Sequence, residues 1–309
     1  TTDRRPFGVG RRVGRAVTTA SYLERLAARS AAVGSVLCLG LDPDPAGLPE
    51  GFSPDLRGVE RFARLVAESA VPFAAAIKPN LAFFEAFGSD GLAALERLRA
   101  SLPADLPVVL DVKRADIGST VARQAVALFD RLAADAVTVN PYLGSEAVMP
   151  LLSRTDRFAY VLCRTTNPGA GELQDLMVAA DPAIDAPAEP LYLRVARRAR
   201  AWGPGATVGL VAAATAPSEL AAIRATAPGL PFLVPGIGAQ GGQLEPVLAD
   251  GPATAPPGSG RPGRGLLVNV SRAIVGAASG APAPGGPTDL GERLAAAAAD
   301  WASRLPVLP

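Results

Sequence analysis

The 309-residue sequence predicts an α/β protein, a single-domain (β/α)8 (TIM) barrel, and three observations point there. Eight short apolar runs alternate with longer amphipathic or Ala-rich stretches, the rhythm of parallel strands joined by right-handed helical crossovers. The runs are apolar almost throughout, so both faces of each strand are buried. The chain length suits eight such units in one domain, which favours a closed barrel over an open doubly wound sheet.

Taken in order, residues 1–34 form an N-terminal extension with a poorly ordered start, and the barrel domain is expected over 35–309. The extension opens "TTDRRPFGVGRRVGRAVTTA", rich in arginine and without the apolar segment of a secretion signal. The first strand is read in "SVLCLGLD" (35–42). The helical "VERFARLVAESA" leads to "FAAAIKPN" (73–80), and "GLAALERLRASL" leads to "PVVLDVK" (107–113). "TVARQAVALFDRLAA" precedes "AVTVN" (136–140), which is followed by "FAYVLCRT" (158–165). "PLYLRVARRARAW" precedes "TVGLVAAA" (207–214), and "PFLVPG" (231–236) and "GLLVNV" (265–270) complete the set. The Pro/Gly-rich segments 251–265 and 276–289 read as mobile surface loops.

Composition excludes several function classes. The net charge is +1, so the overall balance calls for neither nucleic acid nor an acidic membrane. No run approaches 18 apolar residues, and a cytoplasmic protein with no membrane partner is expected. Cys38 and Cys163 sit in apolar runs as buried, reduced core residues, with no disulfide framework and no zinc cluster. There is no histidine, which removes Ser-His-Asp triads, Cys-His pairs and His-ligated metals. Acid–base work falls to Lys, Asp, Glu, Tyr or Cys.

The chain holds 28 arginines but only two lysines, Lys78 and Lys113. Lysine can hand over a proton where arginine effectively cannot, so a lysine kept against this bias hints at proton chemistry. Both lie where barrel enzymes build their sites, at the C-terminal ends of predicted strands. Asp42, Asn80, Asp111, Asn140, Arg164 and Asn269 fall on the same rim, with Asn167 on a loop leaving it. In "DVKRADIGST" (111–120), strand alternation sends Asp111 and Lys113 to one face, with Asp116 on the turn beyond. Such an array serves either as a buried ion network or as a proton-transfer site. "FLVPGIGAQGGQ" places Gly236 and Gly238 at a strand-to-helix turn where backbone N–H groups can hold an anion. Arg272, just past the eighth strand, is the natural partner for a phosphate there.

Together these motifs resemble the orotidine 5′-phosphate decarboxylase family, in its longer bacterial (type 2) subfamily. The resemblance is carried by "LCLGLDPDP", "IKPNLAFFEAFG", "DVKRADIGST", "NPYLG", "LCRTTNPGAGELQD", "FLVPGIGAQGG" and "VNVSRAI", from about residue 36 to 275. It implies decarboxylation of orotidine 5′-phosphate to uridine 5′-phosphate without metal or organic cofactor. It further implies that Asp42 bonds the ribose, and that Lys78 holds Asp111 and a ribose hydroxyl. Asp111 and Lys113 would face the scissile carboxylate, with Lys113 protonating C6. Thr166, beside Asn167, would meet the pyrimidine edge, and Gln240 and Arg272 the phosphate. Asp116 and Thr120 would serve the neighbouring subunit of a homodimer. Thr166 stands where serine is common, and the Pro/Gly-rich insert before the eighth strand departs from the pattern. The rival readings are a magnesium-dependent sugar-phosphate decarboxylase or aldolase, a non-catalytic phosphate-binding barrel, and a nucleic-acid role for the Arg-rich start. The first wants more acidic strand ends than a chain with Lys78 offers.

Overall fold

A computed structural model describes residues 20–279 and 287–309. The start of the N-terminal extension and residues 280–286 of the second Pro/Gly-rich segment lie outside the described residues. The eight expected strands are all present. They are β1 (Leu37–Leu41), β2 (Ala76–Pro79), β3 (Val109–Arg114), β4 (Ala136–Val139), β5 (Phe158–Arg164), β6 (Val208–Ala212), β7 (Phe232–Val234) and β8 (Leu266–Val270). Their spatial order is β2-β1-β8-β7-β6-β5-β4-β3, with every neighbouring pair parallel. Two isolated parallel bridges, Ile77 with Val108 and Asn80 with Asp111, bring β2 to β3 and close the barrel. The strands are one to four residues shorter than their apolar runs, because the ends of those runs turn into loops.

Helices packed outside the strands bury the larger apolar layer, which includes Phe62, Leu98, Leu128, Leu151, Leu220 and Ile223. Inside the barrel lies a second layer built from inward-facing strand residues, among them Ala76, Val109, Ala136, Phe158, Tyr160 and Leu233. Cys38 belongs to it, and burial pushes its thiol up to about 12. Cys163 is equally buried, and both cysteines are free. Among the described residues no helix is long and apolar enough to cross a membrane.

Residues 20–34, assigned from sequence to the extension, contain a helix, Tyr22–Val33, that covers the floor of the barrel. It starts in a capping box, with Glu24 N–H donating to Ser21 Oγ and Ser21 N–H to Glu24 Oε2. Tyr22 stacks on Phe158 with ring centroids 4.8 Å apart, and its hydroxyl lies 3.1 Å from that of Tyr160. Arg25 donates to the buried Asp135 at 2.8 Å, and Arg157 reaches the same carboxylate. Val108 N–H donates to Asp135 Oδ2 at 2.9 Å, so this buried charge is bonded from helix and strands together.

The segment 251–265 is packed rather than a free surface loop. Gly251, Pro252 and Ala253 are buried, and Ala253 N–H donates to Arg264 O at 3.0 Å. The cause is Arg224, on the helix Pro217–Thr226. Its guanidinium donates to the carbonyls of Ala227 (2.9 Å), Pro228 (3.2 Å), Leu230 (2.9 Å), Asp250 (3.2 Å) and Gly251 (2.6 Å). It also lies 3.6 Å over the Phe232 ring. One planar fork thus ties the start of the insert to the turn that leads into β7.

Arg224→Ala is therefore expected to cost roughly 3 kcal/mol or more, because it strands buried carbonyls without donors. Arg224→Lys should recover less than half of that, since one ammonium cannot span the five oxygens. Urea unfolding of the three proteins checks this; a loss below about 1 kcal/mol for the alanine variant would show that the carbonyls find other donors.

Candidate active site

Asp111, near the C-terminal end of β3, is the centre of the rim. Lys78 Nζ, from β2, donates to its Oδ2 at 2.9 Å. Lys113 Nζ donates to Oδ1 at 2.6 Å, and Thr138 Oγ, from β4, donates to the same oxygen at 2.8 Å. Burial alone would raise the Asp111 carboxyl, but the ammoniums of Lys78 and then Lys113 outweigh it and hold it well below the usual carboxylate range. Burial would likewise lower Lys78, yet Asp111, with Asp42 behind it, raises its pKa. The two lysines differ in access: the Lys78 side chain is 6% exposed and that of Lys113 is 52% exposed. Lys78 is a fixed counter-charge. Lys113 is an ammonium facing open space.

Asp111 and Lys113 converge as the sequence spacing predicts, but not by simple alternation. The pairing of β3 with β4 shifts register between Leu110 and Arg114. Lys113 sits in this irregularity with φ +48°, a left-handed conformation that costs a side-chain-bearing residue about 1–2 kcal/mol. Thr138 supports it: its Oγ accepts from the backbone N–H of Val112 (2.9 Å) and Lys113 (3.0 Å) while donating to Asp111. Sequence reasoning missed Thr138. Its only signal is a hydroxyl in the otherwise apolar "AVTV", and threonine is ordinary in strands.

A second group of polar residues spans β1, β8 and the loops after β5 and β7. Asp42, just past β1, accepts from Ser271 Oγ at 2.7 Å. Ser271 was not singled out from sequence, although it adjoins Arg272. Arg272 begins the short helix Arg272–Val275 and is exposed. That helix packs on the glycine turn: a Cβ at Gly238 would lie 2.9 Å from Ala273 Cβ, and Gly238 has φ +79°. Only glycine meets both conditions. Within the turn, Gly241 N–H donates to Gly238 O and Gly242 N–H to Gly236 O, so these two N–H groups point inward. The N–H groups available to an anion are fewer than the glycine count suggests. Gln240 Nε2 donates to Thr166 Oγ at 3.2 Å and links the loop after β7 to the loop after β5. Arg164, at the end of β5, donates to Asp175 at 3.1 Å and so anchors the β5 loop on its own strand.

The side chains of other expected site residues are not hydrogen-bonded to Asp111 or its donors, although the Asn80 backbone is bridged to Asp111. The Asp116 carboxylate accepts from Ile117 N–H at 2.7 Å, one residue away, and Lys113 has its ion pair with Asp111. The Asp-Lys-Asp array is thus assembled within one chain only as far as Asp111 and Lys113. Thr120 is exposed on the helix Gly118–Ala125. Asn80 Oδ1 accepts from Ala82 N–H (3.3 Å) and Asn140 Oδ1 from Tyr142 N–H (3.1 Å), both as turn formers. Asn167 Oδ1 accepts from Thr165 Oγ. Asn269 Oδ1 is buried without a hydrogen-bond partner, close to Gly40. Among the described residues no group of three or more His, Cys, Asp or Glu side chains is arranged to hold a metal ion.

Comparison with known proteins points to one family. The model of the orotidine 5′-phosphate decarboxylase / HUMPS family matches residues 35–283. The orotidine 5′-phosphate decarboxylase of Thermomicrobium roseum is 48% identical over 258 residues, 82% of this chain and 86% of its own. That of Halorubrum lacusprofundi is 47% identical over 256 residues, 82% of this chain and 87% of its own. Among solved structures, a putative orotidine-monophosphate-decarboxylase from Toxoplasma gondii superposes with a TM-score of 0.77 at 37% identity, covering 92% of this chain and 94% of its own. Leishmania donovani UMP synthase gives 0.75 at 38% identity; this chain covers 56% of that longer one. With its Asp111-centred rim on an eight-stranded barrel, the chain belongs to the orotidine 5′-phosphate decarboxylase / HUMPS family.

Proposed function

We propose that the protein decarboxylates orotidine 5′-phosphate to uridine 5′-phosphate and carbon dioxide, the final decarboxylation of pyrimidine biosynthesis. The observation that carries this reading is the exposed Lys113 ammonium held 2.6 Å from the Asp111 carboxylate in a chain without histidine. The bond from C6 to the carboxylate breaks, and its electron pair stays on C6 in the ring plane, outside the pyrimidine π system. The Lys113 ammonium stabilises that charge as it develops and then gives C6 its proton. Lys113 regains a proton from solvent. Asp111, kept ionised by Lys78, repels the substrate carboxylate and is relieved as carbon dioxide leaves. Asp42 and Lys78 suit the ribose hydroxyls, Thr166 with Asn167 the pyrimidine edge, and Gln240 with Arg272 the phosphate. Asn80 and Asn140 act through the turns that shape the rim.

The same reading includes a homodimer with shared sites. Ile117 is 65% exposed, Tyr142 81% and Leu143 53%, beside Asp116 on one stretch of rim. A second copy of the chain covers this apolar surface and receives Asp116 and Thr120. Two buried, unpaired thiols suit a reducing cytoplasm.

Ultraviolet monitoring of orotidine 5′-phosphate with pure protein and chelator tests the activity and separates it from a magnesium-dependent reaction. Lys113→Ala is expected to lower turnover by at least about a thousandfold while uridine 5′-phosphate still binds. Lys113→Arg should be nearly as inactive, because guanidinium does not release its proton. Substantial turnover by the arginine variant would remove Lys113 as the donor.

The Asp111 carboxyl is depressed in the folded chain, so its ionised form contributes stability above the unfolded carboxylate pKa of about 3.9. That contribution disappears as pH falls toward the depressed folded value. The stability gap between wild type and Asp111→Asn should be constant from about pH 5 to 8 and shrink below about pH 4. Urea unfolding at each pH measures it, and a gap unchanged down to pH ~3 contradicts the ion pairing.

Sharing across the dimer is tested with Lys113→Ala and Asp116→Asn chains, each nearly inactive alone. A hybrid dimer has one doubly damaged site and one intact site. Equal co-refolding should restore about a quarter of wild-type activity. Hybrids verified by mass that recover nothing would place Asp116 in its own chain's site.

A further inference from the structure

Between the Asp42 carboxylate and the Arg272 guanidinium lies Ser271, which touches one and precedes the other. Its Oγ donates to Asp42 Oδ2 at 2.7 Å. Its carbonyl accepts from the N–H groups of Ile274 and Val275, both at 2.9 Å, and so starts the turn that carries Arg272. Its backbone lies at φ −117°, ψ −82°, outside both the helical and the extended regions. Close strand packing holds it there: a Cβ at Gly40, in β1, would lie 2.6 Å from Ser271 Cβ and 2.9 Å from Asn269 Oδ1. β1 and β8 can approach this closely only because residue 40 is glycine. Arg272 itself is exposed at the start of a four-residue helix. Its placement depends on the residue before it.

We infer that Ser271 is a positioning residue that couples the ribose end of the site to its phosphate end. The inference rests on the reading of Asp42 and Arg272 as ribose and phosphate ligands. Fixing the carboxylate at one end of the Ser271 side chain orients the peptide that launches Arg272, and phosphate engagement by Arg272 holds Asp42 in turn. Such coupling is reciprocal. It lets binding energy gained at the phosphate act on the ribose and, through it, on the pyrimidine ring.

The test is a mutant cycle in kcat/KM for orotidine 5′-phosphate. In the Ser271 enzyme, the fold-loss caused by Arg272→Ala should be at least about fivefold smaller when Asp42→Ala is already present. With Ser271→Ala in both arms the two losses should multiply independently, within about twofold. Asp42→Asn, which keeps an oxygen for the Ser271 hydroxyl, should show nearly the full Arg272→Ala loss. This arm leaves Ser271 intact and decides the matter even if Ser271→Ala folds poorly. Coupling that survives Ser271→Ala, or that Asp42→Asn abolishes, overturns the inference alone. Independent losses in the Ser271 enzyme overturn it as well. Single Asp42→Ala and Arg272→Ala variants with unchanged kcat/KM overturn the assignment of both ligands, and the coupling with it.

Discussion

A carboxylate in a largely buried position must collect donors or lose its charge, and Asp111 collects three from three strands. Lys78 comes from β2, Lys113 from the irregular end of β3 and Thr138 from β4. This requirement shapes more than the site. The seam between β2 and β3 is the one place where the barrel is joined by two isolated bridges in place of a continuous ladder, and one of them is Asn80 with Asp111. The Lys78–Asp111 pair crosses the same seam. The carboxylate that pairs with the lysine proposed as proton donor therefore also helps hold the barrel shut on that side. Removing one partner strands a charge in low dielectric, which is why a buried ion pair binds its neighbours so tightly without adding much net stability.

The distribution of cations follows a division of labour. Arginine is used where several acceptors must be gathered by one rigid fork: Arg224 on five carbonyls, Arg197 on both oxygens of Glu189, Arg25 and Arg157 on Asp135. Most of these sit away from the rim and organise loops or the barrel floor. Lysine occurs only at Asp111, where Lys78 is enclosed and Lys113 is open. A guanidinium could satisfy the carboxylate in either position, but it could not serve as the proton donor that the proposed reaction needs. The floor, with Tyr22, Phe158 and Tyr160 stacked and bonded beside the buried Asp135 and its arginines, is closed; the rim is polar and open at Lys113. Lys113 shares its left-handed backbone with Ala133, Asp185, Ala206 and Arg264, and of these five it alone belongs to the proposed site.

Much of this was legible in the sequence, for reasons that differ by element. The eight strands could be read because a parallel strand buried on both faces leaves a continuous apolar run. Asp111 and Lys113 stood out because they sit at the end of such a run in a chain nearly devoid of lysine. The way they meet was not legible: alternation places them on one face, but a register shift and a left-handed Lys113 do the work, and both depend on Thr138 in another strand. Ser271 escaped notice for the same reason, since its partner Asp42 lies 229 positions away. The segment 251–265 looked like free loop because its anchor, Arg224, bonds carbonyls, which carry no sequence signature. The helix Tyr22–Val33 was hidden by an Arg-rich start that draws attention away from Tyr22, Leu23 and Leu26.

These residues divide the rim into two halves. β1, β2, β3 and β4 supply the charged cluster and Asp42; β5, β7 and β8 supply Thr166, Gln240 and Arg272. The hydrogen bond from Ser271 to Asp42 joins the halves, and that from Gln240 to Thr166 ties the loops after β7 and β5 within the second half. A reaction that draws on binding energy from a remote phosphate needs such joints, because energy gained in one half lowers a barrier in the other only if their relative position is fixed. Hydrogen bonds between short side chains suit this purpose. The bond between Ser271 and Asp42 is directional, has few rotamers to lose and lies next to Arg272, the residue proposed for the phosphate. The floor and the strand ladders β1–β8 and β4–β5 hold the two halves from below, so the side-chain contact acts on the rim residues above that frame.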